Sequence, residues 1–168
     1  MKQVSEEVIE NVLRRMENIV EEEVPKLVEQ MGKEQPLVLA YLLAYGEEMG
    51  QDDQGLLILL GLNVWQMMSE GGHHPAKVSE DLLEELEDKN IKMLESRIEA
   101  SEADLYNFAE RLMNGYNQRN ILDYILREIM EGPEGEGALS EDDHIGVFML
   151  CLMTVIDCFD RDHLSWAT

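Results

Sequence analysis

The chain has 168 residues, of which 36 are acidic and 13 basic, for a formal net charge of −23. Hydrophobic residues make up 45% of it, enough to build a core in a chain of one-domain length, so the charge does not imply disorder. A surface this negative repels nucleic acid and anionic lipid, which excludes direct nucleic-acid binding and a membrane-surface role and favours a basic protein partner.

The opening segment carries apolar residues at Val4, Val8, Ile9, Val12, Leu13, Met16, Ile19 and Val20. Steps of three and four predict an amphipathic helix. Ser5 is placed to cap it, with Glu6 and Glu7 favourable in the first turn. Acidic residues at these positions do not read as a secretory leader. Pro25 kinks this helix or starts a short new one, which Gly32 ends. Pro36 takes the first position of the next helix, which runs to about Met49.

"GLLILLGLNVWQMM", from Gly55 to Met68, holds no charge. It belongs to a helix from about Asp52 to Ser69 that is apolar on nearly every side, the mark of a central element. A second charge-free run, "IGVFMLCLMTVI", spans Ile145 to Ile156. Both fall short of the roughly 20 residues a bilayer span needs. They are expected as buried helices of a cytoplasmic protein, with Leu59 and Leu150 as core positions intolerant of charge. "SEGGHHPAK" between them reads as a loop.

Ser79 opens a long helix reaching Ile98, and Ser101 with Asp104 resembles a capping box that restarts a helix through Leu112. Asn114-Gly115 breaks it. A further helix spans about Gln118 to Glu131, "GPEGEGALS" is a polar loop, and Ser140 with Asp143 opens the last helix. No strand is required, so the fold class is all-α, a helical bundle forming a single domain over 1–168. Cys151 and Cys158 share the last helix about 10 Å apart along its axis, too far for a mutual disulfide. They read as core thiols, whose burial makes them poor nucleophiles.

Segments recur in order. "VSEEVIE" from Val4 is echoed by "VSEDLLE" from Val78, "QPLVLAY" from Gln35 by "QRNILDY" from Gln118, and "GLLILLGLNVW" from Gly55 by "GVFMLCLMTVI" from Gly146. Gly32 and Gly115 also correspond. The chain is therefore read as two tandem copies of a three-to-four-helix unit, approximately 4–69 and 78–159, related by a pseudo-twofold axis. Gly55 and Gly146 are expected to allow close helix approach, and Gly61, which Leu152 answers, to be a local fit.

Chemistry is harder to find. Candidate metal ligands are the adjacent His73 and His74, and Asp157, Asp160 and His163, which share a helix face if the last helix continues. The plainer reading of each set is a solvated turn and a solvated helix end. His144 reads as a turn residue. Asn63 and Thr154, at corresponding positions on the charge-free helices, are the best polar candidates for a pocket there, or simply bond backbone or each other. No Cys-x-x-Cys pair, phosphate loop or nucleophile–base set is present, and no cofactor is expected.

The first functional reading is thus a non-enzymatic interaction or regulatory protein for a partner with a basic surface. An inhibitor or immunity-type mimic of nucleic acid is the alternative, and a small-molecule or metal-binding bundle, with or without catalysis, is the third.

Overall fold

The computed structural model describes residues 2–95, 102–130 and 144–160. Among these residues the fold is all-helical, with no strand. The helices are α1 (Glu6–Glu17), α2 (Val24–Glu34), α3 (Pro36–Gly46), α4 (Gln51–Met68), α5 (Glu80–Glu95), α6 (Glu102–Gly115), α7 (Arg119–Met130) and α8 (His144–Phe159). A single 3₁₀ turn, Glu21–Glu23, separates α1 from α2, so Pro25 starts a new helix rather than kinking the first. The wide turn Ser69–His73 continues α4 past its last regular turn.

Local chemistry sets several ends. Ser5 Oγ accepts the Val8 amide at 3.3 Å, and Ser79 Oγ accepts the Leu82 amide at the same distance. Each hydroxyl satisfies one of the free amides of a first turn. Pro36 begins α3, where its missing amide costs nothing. The expected extension of α5 to Ile98, the Ser101–Asp104 box, the "GPEGEGALS" loop and the Ser140–Asp143 cap lie outside the described residues.

The two charge-free runs are the centre of the bundle. Every residue of α4 from Gly61 to Met68 is buried, and so is every residue from Cys151 to Asp160. α8 packs most extensively on α5, α4 packs on α3, and α4 and α8 meet each other. The outer half of α4 differs: Leu57 is wholly buried, but Leu59 is 39% exposed and Gly55 is also at the surface. An all-round apolar helix gives no sign of which side faces out, so Leu59 is a surface residue and not the core position its sequence context suggests. Leu150 is half-buried.

The glycines also redistribute. A Cβ on Gly55 or Gly146 would meet nothing within 4 Å, so neither serves a close helix approach. Gly61 does: a Cβ there would collide with the side chain of Leu42 on α3. Gly46, at the end of α3, plays the same part against Gln54, whose Cγ would lie 2.8 Å from an added Cβ.

Two buried glutamines tie the bundle together across long sequence distances. Gln118 Oε1 accepts the Val4 amide at 2.9 Å, and its Nε2 donates to Lys2 O at 3.2 Å. Gln35 Oε1 accepts the Val78 amide at 3.0 Å, and its Nε2 donates to Pro75 O and Ala76 O, both at 3.1 Å. Each glutamine thus holds the extended arm that leads into α1 or α5. Asn63 Nδ2 on α4 donates to Tyr124 Oη on α7 at 2.8 Å. Thr154 on α8 faces Tyr41 on α3, and its Oγ1 accepts Asn90 Nδ2 at 3.1 Å. Asn63 and Thr154 therefore bond to separate partners on other helices, not to backbone or to each other. His144 Nδ1 and Asp53 Oδ2 meet at 2.6 Å between α8 and α4. His144 is a helix–helix link, not a turn residue.

Candidate functional site

Three places in the fold combine unusual chemistry with a defined position. The first is the buried end of α8. Asp157 Oδ1 accepts Tyr116 Oη at 2.6 Å and its Oδ2 accepts Asn90 Nδ2 at 3.2 Å. Asp160 Oδ1 accepts Gln118 Nε2 at 3.0 Å and its Oδ2 accepts Asn117 Nδ2 at 2.8 Å. All four carboxylate oxygens are taken by neutral donors from α5 and from the junction of α6 with α7. Both aspartates are buried, so this is not a solvated helix end. Burial pushes the Asp157 carboxyl above the usual carboxylate range, against the opposing effects of its two hydrogen bonds and of Lys89. The Tyr116 phenol is pushed well above its ordinary value, first by burial and then by the adjacent carboxylate, so it remains the proton donor of the pair. The arrangement locks helices together, with one structural donor on each carboxylate oxygen.

Among the described residues no three His, Cys, Asp or Glu side chains gather to hold a metal ion. Asp157 and Asp160 stand together as their spacing suggested, but each with its own set of amide and phenol donors. His163 lies outside the described residues. His73 belongs to the wide turn after α4, and His74 follows it with a left-handed backbone, φ 35°. The cysteines are buried, and burial pushes the Cys151 thiol up to about 12. At neutral pH it is protonated and a weak nucleophile.

The second place is an open cavity of about 220 Å³ at the inner end of α4, whose wall includes Arg15, Trp65, Ser69, Glu70 and His74. Arg15 donates to Gln66 Oε1 at 2.7 Å and pairs with Glu70 at 2.5 Å, so its charge is already matched. The Trp65 indole nitrogen and Ser69 Oγ are buried without a hydrogen-bond partner among the described residues. The cavity lies below the roughly 300–1,000 Å³ of ordinary small-molecule pockets.

The third place is the outer face of α3. This helix is uncharged from Pro36 to Gly46. Val38, Tyr41 and Leu42 enter the core, while Leu37, Ala40, Leu43 and Ala44 are exposed, Leu43 at 42%. Beside Leu43, a groove of about 300 Å³ opens between α2, α3 and α4, lined by Val24, Val28, Gly55, Ile58, Leu59 and Leu62 among others. The exposed glycine at 55 and the exposed Leu59 are part of this groove. Carboxylates frame the region: Glu21, Glu22 and Glu23 precede α2, and Glu47, Glu48 and Asp52 follow α3, all exposed.

No family model, curated protein or solved structure matches the chain.

The sequence marks the start of this helix at Pro36 but not its direction. It is free of charge from Pro36 to Gly46, and only the packing reveals that α3 buries one side and bares the other. A comparison with α7 carries the missing information. Counting from the clamp glutamines, Leu37, Ala40, Leu43 and Ala44 correspond to Asn120, Asp123, Leu126 and Arg127. On α7 Arg127 is exposed and pairs with the part-exposed Asp123 at 2.9 Å, while Asn120 and Leu126 are half-buried. Counted in the same way from Gln35, α3 has alanines at these two places, Ala40 and Ala44.

Proposed function

We propose that this protein is a non-enzymatic interaction module that binds a partner with a basic surface. The observation that carries the reading is the bare, uncharged face of α3 in a chain of formal charge −23. Loss of charge at the centre of an exposed patch, inside a charged rim, is the composition of a binding interface. The polar and reactive groups elsewhere support it: the buried carboxylates are engaged with structural donors, and the Cys151 thiol is held protonated.

We infer further that the chain is two tandem copies, about 4–69 and 78–159. Several pairings support this. Gln35 holds the arm before α5 while Gln118 holds the arm before α1, and Asn63–Tyr124 is answered by Thr154 facing Tyr41. Asp53 and His144, each two residues before its echoed segment, meet each other, as residues beside a twofold axis do. On this reading one copy has kept an ion pair on its outer helix and the other has given that helix to binding. The chain fits a cytoplasmic setting, where its two free thiols stay reduced.

The test is affinity capture from the source cell with wild type and with Leu43→Glu. A single basic protein retained by wild type and lost with the variant supports the reading. A protein retained equally by both, and displaced by duplex DNA, supports nucleic-acid mimicry instead.

A further inference from the structure

We propose that the occupant of the α3 face is an amphipathic helix of a partner protein, its apolar side laid along Leu37, Ala40, Leu43 and Leu59 and its lysines or arginines against the surrounding carboxylates. The inference rests on the interaction-module reading and gives its partner a shape and a chemistry.

Three observations lead to it. The bare stripe on α3 is a helix ridge of 11 residues, about 16 Å long, with a groove at its side that receives side chains from above Leu43 and Leu59. A second helix fits such a ridge and groove, with anchors at i, i+3, i+4 and i+7. The small side chains Ala40 and Ala44 let its backbone come close, whereas the corresponding Asp123 and Arg127 on α7 would hold it off.

The rim decides the charge of the occupant. From Val20 to Leu60 the chain has nine acidic residues against Lys26 and Lys33. Lys33 is already paired with Glu29 at 3.0 Å, and Asp53 with His144. The remaining carboxylates attract a basic flank. They also argue against a second copy of this chain. In a twofold dimer the same patch meets itself, which brings Glu47, Glu48 and Asp52 of one copy toward the like charges of the other.

The test uses two fluorescein-labelled peptides of leucine and lysine with the same composition. One places leucine at i, i+3, i+4 and i+7; the other is scrambled so that no apolar face forms. Each is titrated by fluorescence anisotropy against wild type, Leu43→Glu, Ala40→Glu, and Arg127→Glu as a charge control on the corresponding face of α7. All three substituted positions are exposed, and circular dichroism melting verifies the fold. The patterned peptide is expected to bind wild type and Arg127→Glu alike, and Leu43→Glu and Ala40→Glu about tenfold more weakly. That loss comes despite added negative charge, which would tighten purely electrostatic binding. If both peptides bind every protein equally, the docking face is wrong while the basic-partner reading survives. If neither peptide binds wild type, both fail. If light scattering finds a wild-type dimer that Leu43→Glu dissolves, the occupant is a second copy and the proposal is overturned.

Discussion

Replacing Gln118 with leucine removes a clamp without opening a cavity of any size. Three hydrogen bonds go. The Val4 amide is buried and is left without an acceptor, at about 1–3 kcal/mol. The bond to Asp160 ends on a carboxylate, worth about 1.5–3 kcal/mol. Lys2 O is at the surface and water replaces the lost donor. The sum is about 2.5–6 kcal/mol, a large part of the 5–15 kcal/mol that typically holds a domain together. Gln35→Leu strands the buried Val78 amide, while water reaches the carbonyls of the half-buried Pro75 and the exposed Ala76, and is expected to cost less, about 1–3 kcal/mol. Urea unfolding followed by circular dichroism measures both. Gln118→Glu adds a sign. It keeps an acceptor for Val4 but sets a carboxylate against Asp160, so at pH 7 it is expected to be worse than leucine and to recover on acidification, as the crowded pair takes up a proton. Costs below about 1 kcal/mol for both leucine variants would refute the clamp reasoning. A Gln118→Glu variant insensitive to pH would refute the placement of Asp160.

Asp157→Asn should change the pH profile. Burial raises the folded carboxyl above its unfolded value, so its contribution is complete below about pH 3.9 and is lost as pH rises toward the folded value. The melting temperature of the variant is expected to gain on wild type with rising pH in that window; a constant difference would count against it. Leu57→Asp buries an unpaired carboxylate and is expected to cost several kcal/mol, whereas Leu59→Asp, at the surface, should stay within about 0.5 kcal/mol; equal melting of the two by calorimetry would contradict the burial assignment. Sodium chloride should raise the melting temperature of wild type, since ions screen its self-repulsion over a Debye length of about 10 Å at 0.1 M. A flat salt titration would mean that the carboxylates are already balanced.

What the sequence made legible was local or periodic. The Ser5 cap, the Pro36 start and the central place of the two charge-free runs depend on neighbours within a turn or on composition along one helix. The burial of Asp157 and Asp160 depends on Asn90, Tyr116, Asn117 and Gln118, all contributed by other segments. Spacing alone put the two aspartates on one face and left open what that face meets. The bare side of α3 was hidden for a different reason: a helix apolar all round has no preferred direction, and its orientation is a property of the bundle. The clamp glutamines were within reach, since they head the echoed segments that begin at Gln35 and Gln118. A glutamine, however, announces no partner until the arm it holds is in place.

The clamps also give the chain an order of assembly. Gln35 is synthesised before Val78, so the arm before α5 finds its acceptor waiting. The arm before α1 has the opposite experience: its partner lies 114 residues downstream. At ribosomal speeds of about 5–20 residues per second, Val4 waits roughly 6–23 s for Gln118 to be made. Throughout that interval α1 can coil but cannot be anchored at its leading edge. The residues that emerge early are therefore among the last to be fastened, and closing that latch registers that α7 has arrived.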